Sequence, residues 1–323
     1  MYAIRQHAFG PAETLSYEQT KDPWPGPGQV RIAVAAAGVH LLDTAIREGV
    51  PGPLPLPELP TIPGREVAGT VDALGAGTPA HWLGRRVVAH LGRVPGGYAE
   101  LAVSDTERLH VIPDGLGFAQ AVAMIGTGRT TMGILRFADL TPGSVVVVPA
   151  AAGGIGTLLT QYAKHAGAIV IGLAGGPEKT ARVAANGADL AVDYRNPDWP
   201  REVSAYRGKV SVVFDGVGGD IAREAVALLA PDGRHVVFGW SGEGVRDGSP
   251  YLVPGVSEEV LGPAMLKRAG GPNPLRTLEL AALAEAAAGR LTPAVTRFPL
   301  RHAAAAHRAL ESRETVGKVV LEP

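Results

Sequence analysis

The chain has no cysteine. That excludes disulfides, thiolate nucleophiles and thiolate-held zinc, so any chemistry it performs rests on other groups. Charge of one sign is also missing: 30 basic residues stand against 31 acidic ones, a net charge of −1. No broad field is left to hold a nucleic-acid backbone or an anionic membrane, and neither is expected as a partner. No basic segment followed by an apolar one of signal-peptide length opens the sequence. Residues Met1 to Arg5 read as a strand, and a cytoplasmic location is expected. The longest apolar run, from Val145 through Gly153 and Gly154 to Leu159, is broken by Pro149 and glycines. It falls short of the ~18 residues of a membrane span, which predicts a soluble protein.

What is present fits a globular chain. At 323 residues and 46% hydrophobic content, two cores can be filled. Glycine and proline are spread between Val/Ile/Ala-rich segments as turn punctuation, and no internal repeat is visible. Up to about residue 123 the sequence alternates short β-type runs with turns, at Val30–Ala35, Glu66–Ala73, Arg86–His90, Tyr98–Val103 and Leu109–Ile112. The proline-rich stretch from Pro51 to Pro63 reads as an extended loop. Beyond residue 124 apolar strands (Ser144–Pro149, Ala168–Leu173, Ala191–Asp193, Val210–Phe214, His235–Phe238) alternate with helical stretches at Gly156–His165, Lys179–Asn186 and Ile221–Leu229. That is the signature of βαβ units and a parallel sheet, an α/β class. The pattern lapses between Pro254 and Pro274. An alanine-rich helix at Leu275–Ala288 and a strand at Val316–Leu321 follow, and the tail is expected to pack on the first domain.

The strongest motif is the strand from Val145 running into Ala152, Gly153, Gly154, Ile155 and Gly156 and then a helix to His165. Small residues between a buried strand and a helix let backbone N–H groups and the helix N-terminus approach a pyrophosphate. In the G-x-G-x-x-G frame, Ala151 takes the place of the first glycine. The other reading is a glycine turn that only tightens strand–helix packing. The next strand carries no acid from Ile169 to Gly176 to accept ribose hydroxyls, while Lys179 and Arg182 follow on the helix. Cations there suit a 2′-phosphate and favour NADPH, unless both are ordinary solvated helix residues.

Ala150–Gly156, Gly187–Asp189 leading to Tyr194, Val213–Gly218 and Thr315 to Val320 with Gly317 and Lys318 resemble the zinc-independent quinone oxidoreductase (zeta-crystallin-like) branch of the medium-chain dehydrogenase/reductase superfamily. The likeness runs along essentially the whole chain. It implies a GroES-like β-rich catalytic domain made of residues 1–123 and 272–323, with a Rossmann cofactor domain, residues 124–271, inserted between them. By the same resemblance Lys179 lies near the 2′-phosphate, Tyr194 beside the adenosine end, and Gly175 where many relatives have a phosphate-binding serine. Thr127, Phe238 and Gly239 match positions lining the nicotinamide and its ribose, and Lys318 a tail segment near the cofactor. The family also implies a homodimer, with the strand near His235–Phe238 or the segment after Tyr251 as the interface.

Zinc-dependent relatives have a cysteine ligand where this chain has His40, and a histidine ligand where it has Arg65. Arginine has no lone pair to offer a metal, so no metal site is expected. In the quinone oxidoreductases an asparagine near the nicotinamide stands at the position of His40, and two pocket tyrosines of some relatives appear as Ala45 and Val50. Reducing a quinone or enone needs a proton or hydrogen-bond donor at the oxygen that becomes negative. His40 can supply either. Arg65 can steady the oxyanion or pair with Glu66. Otherwise the two are a hydrogen-bonded pocket residue and a structural ion-pair member. His302 and His307, five apart on an alanine-rich helix, are expected on the surface. Neither Ser104 nor Ser241 has the setting of a hydrolase nucleophile. The expected activity is hydride transfer from NADPH to a quinone or other conjugated carbonyl. An enoyl-thioester or enone reductase and a non-catalytic NADPH-binding, crystallin-like or RNA-associated protein remain open.

Overall fold

The computed structural model describes residues 1–51, 55–92, 94–239, 241–242, 257–260 and 262–323. The chain forms two compact units, Met1–Thr127 with Pro293–Pro323, and Gly128–Thr292.

The first unit is built around one long strand. β1 (Tyr2–Gln6) and β2 (Leu15–Gln19) make a short antiparallel pair. β3 (Gln29–Val39) follows, and α1 (Leu41–Glu48) ends at Gly49, whose left-handed backbone terminates the helix. Then come β4 (Glu66–Leu74), β5 (Arg86–His90), β6 (Leu101–Asp105), β7 (Leu109–Val111) and α2 (Phe118–Ala123). Val30, Ile32 and Val34 alternate inward along β3, while Ala36 to Val39 are buried without alternation. The strand is therefore half-covered at its start and buried on both faces at its end. β4 and β5 pair antiparallel on one side of β3 and β6 on the other. Tyr98, expected at the start of β6, lies outside it with its ring fully buried. Its N–H bonds to the Pro63 carbonyl in place of a ladder partner.

The second unit begins with α3 (Arg129–Leu135), after a π-helical turn at Met124–Gly128. β8 (Val145–Val148), α4 (Gly154–His165), β9 (Ile169–Ala174), α5 (Pro177–Ala185), β10 (Leu190–Asp193), α6 (Trp199–Glu202), β11 (Val210–Asp215), α7 (Gly219–Val226), β12 (Leu229–Val237), β13 (Ser257–Val260), α8 (Pro263–Ala269) and α9 (Pro274–Ala287) complete it. The six strands are all parallel, in the order β10-β9-β8-β11-β12-β13. This is the doubly wound arrangement, whose order reverses between β8 and β11. Apolar clusters cover both faces of the sheet, as the valines of β8 require.

The tail returns to the first unit as β14 (Val295–Pro299), α10 (Ala303–Glu311) and β15 (Lys318–Glu322), with β15 antiparallel to the end of β3. The boundary expected at residue 272 falls at 293 instead. Helix α9 stays with the second unit because Gly133 on α3 leaves room for Met265 and Leu278, and Arg129 pairs with Glu279 at 3.0 Å. The strand near His235 is not an edge either: β12 lies between β11 and β13. The Tyr251 segment lies outside the described residues. Among those residues no helix is long and apolar enough to cross a membrane.

Candidate functional site

In the second unit, the β8–α4 turn shows why its residues are small. A Cβ at Gly156 would lie 2.4 Å from the Ala150 carbonyl oxygen and 2.7 Å from the Ala151 Cα, so a side chain there would push the helix off the strand. Ala150 takes the left-handed conformation, φ 52°, in which alanine is uncommon. The Ala151 N–H bonds to Leu173 on the neighbouring strand, and Gly153 caps α4, leaving the first N–H groups of the helix without intrahelical acceptors. Ala152 is buried and Gly154 and Ile155 are half-buried in the first turn.

Past β9, Gly175 and Gly176 lead into α5. Tyr194 and Arg195 crowd them: the Tyr194 hydroxyl and Arg195 Nε would each be 3.1 Å from a Cβ at Gly175. Asp193 accepts from the N–H groups of Gly176 and Arg195, which hold its carboxyl below the usual range. Lys179 is half-buried on the first turn of α5, whereas Arg182 is exposed and paired with Glu178 at 3.2 Å. Sequence reasoning missed Arg195, although it directly follows Tyr194. It also missed the buried pair Asp215 and His235, 3.1 Å apart, in which Asp215 also takes the N–H groups of Val217 and Gly218. That turn supports Phe238, whose ring covers Gly216 and whose neighbour is the half-buried Gly239. Thr127 is buried on the π-helical turn of the first unit.

The first unit assembles a second set of groups by register. Val39 pairs with Val319 on one side of β3 and Ala37 with Val67 on the other, so His40, Lys318 and Glu66 meet where the strands end. His40 Nε2 is 2.6 Å from Glu66 Oε1, Lys318 Nζ is 2.8 Å from Glu66 Oε2, and the same nitrogen is 2.8 Å from His40 Nε2. Neither carboxylate contact has the directionality of a hydrogen bond, so these are ion-pair contacts. Glu66 is 0% exposed. Burial pushes its carboxyl upward, but the charges of His40 and Lys318 outweigh burial and hold it well below the usual range. Gly38 and Gly126 make the cradle, for a Cβ on either would run into the carboxylate. Lys318 is thus engaged by Glu66 and His40. At the start of α1 the Asp43 carboxylate accepts the His40 N–H at 2.8 Å, and the Asp43 N–H faces the His40 ring in a capping box.

Arg65 pairs with Asp43 at 3.3 Å, not with Glu66, because neighbouring strand residues point to opposite faces. Tyr98 donates to Asp43 at 3.2 Å and lies 3.2 Å from His307 Nε2, while His307 Nδ1 is 3.3 Å from Arg47. Arg47 is anchored on Glu311 at 2.7 Å and on the Gly10 carbonyl at 3.0 Å. His307, expected on the surface, is therefore fully buried, and His302 alone is exposed. The stripe Ala303, Ala306, His307 and Leu310 has the i, i+3, i+4, i+7 spacing that could have revealed this. Burial raises the Tyr98 hydroxyl well above its usual value, and Asp43 adds to the effect. Beside this network opens a cavity of about 270 Å³, whose lining includes Asp43, Glu58 and Arg65, the polar Gln6 and Thr61, and Ile46, Leu56 and several prolines.

Residues 26–114 match the alcohol dehydrogenase GroES-like domain and residues 154–266 the zinc-binding dehydrogenase domain. The chain is 35% identical to a quinone oxidoreductase of Pseudomonas aeruginosa, over 99% of both chains. It is 32% identical to a 2-haloacrylate reductase of a Burkholderia species, over 98% of this chain and 97% of that one. The crystal structure of Escherichia coli quinone oxidoreductase complexed with NADPH superposes over 100% of both chains, with a TM-score of 0.86 and 29% identity. This chain, a GroES-like β-rich unit joined to a Rossmann-type one, belongs to the quinone oxidoreductase branch of the medium-chain dehydrogenase/reductases and is an oxidoreductase.

Proposed function

We propose that this enzyme reduces a small conjugated carbonyl compound, a quinone or an enone, with NADPH and without zinc. The observation that carries the reading is Arg65, which lines a largely apolar cavity and whose guanidinium is paired there with the buried Asp43. An arginine has five N–H donors, and one 3.3 Å contact with Asp43 leaves donors for an oxygen that gains negative charge.

The residues of the second unit suit the dinucleotide. The β8–α4 turn offers backbone N–H groups at a helix N-terminus to a pyrophosphate, and Tyr194 and Arg195 flank the Gly175–Gly176 turn, with Lys179 on the first turn of the helix that follows, where a 2′-phosphate needs donors. NADPH supplies the hydride when bound. A resident zinc ion does not suit the first unit. Arg65 cannot ligate, His40 is engaged by Glu66, and the Lys318 ammonium already provides the cation that the buried carboxylate requires.

With Nε2 against Glu66 and the Asp43 N–H facing the ring, His40 is held in place at the start of α1. Arg65 is the better placed of the two for the acceptor oxygen. Stopped-flow oxidation of bound NADPH by quinones, enones and enoyl thioesters tests the reading, with NADH as control and with Arg65→Met and His40→Ala compared. Loss of about 100-fold in Arg65→Met assigns the oxygen to Arg65, and a loss confined to His40→Ala assigns it to His40. Tight NADPH binding without turnover by any acceptor replaces the reductase with a binding role.

A further inference from the structure

We propose that the cavity of the first unit selects electrically neutral unsaturated carbonyl compounds and disfavours those bearing a carboxylate. This rests on the reading of the cavity as the acceptor site. Among its described lining residues the charged ones are Arg65, Asp43 and Glu58, one cation against two carboxylates. Arg65 is already matched, because its partner Asp43 lies 3.3 Å away and the two side chains are 11% and 4% exposed.

Asp43 cannot shed that role, because the hydrogen-bond chain behind it has a fixed direction. Arg47 only donates, so His307 Nδ1 accepts; a neutral imidazole then has its proton on Nε2 and donates to the Tyr98 oxygen. The Tyr98 hydroxyl is left to donate to Asp43, which also receives the His40 N–H. Each of these donors ends on the carboxylate and stabilises its charge. An incoming carboxylate has to share Arg65 with Asp43 and meets the exposed Glu58 at the wall. A neutral carbonyl oxygen needs only a hydrogen bond, which the guanidinium has to spare. The remaining described lining is uncharged, mostly Ile46, Leu56 and prolines with the polar Gln6 and Thr61, and the volume of about 270 Å³ lies at the lower end for small-molecule sites. It suits a compact, uncharged acceptor.

The test compares kcat/KM of the intact enzyme with NADPH for an enone bearing a remote, unconjugated carboxylate and for its methyl ester, whose reacting groups are the same. Wild type and Glu58→Gln are measured at low ionic strength. The expected ratio is about tenfold in favour of the ester, narrowing about threefold in Glu58→Gln, the size of one solvent-exposed like-charge contact. Equal use of the two, preference for the acid, or a preference that Glu58→Gln leaves intact overturns the proposal. If neither compound nor any quinone oxidises NADPH, the acceptor-site reading itself has failed, and this proposal with it.

Discussion

His307 should make the enzyme lose stability in mild acid, by an amount the structure sets. The ring is 0% exposed, with Tyr98 on one nitrogen and Arg47 on the other. Burial, helped by Arg47 and not reversed by Asp43 and Glu311, holds its pKa at about 4 against an ordinary 6.5. The folded state therefore binds fewer protons than the unfolded chain between these values, and stability rises with pH across that window. It is complete above about pH 6.5 and falls progressively toward pH 4. A gap of about 2.5 at ~1.4 kcal/mol each comes to ~3.5 kcal/mol, of which ~3 kcal/mol is lost by pH 4. The perturbation is His307→Gln, which fills much of the space and does not titrate. At pH 7.5 the variant should be less stable by ~1–2 kcal/mol, the worth of two impaired buried hydrogen bonds. Its curve should then be flatter than that of wild type by ~3 kcal/mol down to pH 4, so the two meet near pH 5. Urea unfolding followed by circular dichroism at half-unit pH steps measures this. Parallel curves for the two proteins would refute the assignment of a buried, neutral His307.

Three further outcomes follow from the buried charges and the cofactor turn. Lys318→Met leaves Glu66 with His40 as its main partner; it should cost ~3 kcal/mol at pH 7, much of it restored by adding Glu66→Gln. A single-variant cost under ~1 kcal/mol in urea melts argues against an ionised Glu66. Gly126→Ala places a Cβ 1.5 Å from Glu66 Oε1, which should displace the carboxylate and lower the thermal midpoint by several degrees, whereas an unchanged melt shows that the cradle is loose. Arg195→Gln and Lys179→Gln should each weaken NADPH binding about tenfold in fluorescence titrations and leave NADH unaffected. Equal losses for both cofactors place neither residue at the 2′-phosphate.

The cofactor unit was legible in the sequence because its signals are local. The valines of β8, the glycines after them and the following helix are contiguous, and parallel strands buried on both faces read as unbroken apolar runs. The boundary at 272 was misread because α9 has apolar residues on every side and says nothing of its partner. That partner is fixed by Gly133, some 140 residues earlier, whose missing side chain admits Met265 and Leu278. His40 and Arg65 were singled out as candidates from their positions, but their partners were not, since what selects those partners is sheet register. Alternation into the start of β4 sends Arg65, the residue before the strand, to the Asp43 side and Glu66 to the Lys318 side. Lys318 itself reaches His40 only because β15 returns antiparallel to the end of β3. A lysine in a glycine-flanked tail reads as a solvated charge or a cofactor contact. It becomes the counter-ion of a buried carboxylate only once two strands from opposite ends of the chain lie on either side of a third, and nothing local in the sequence specifies that pairing.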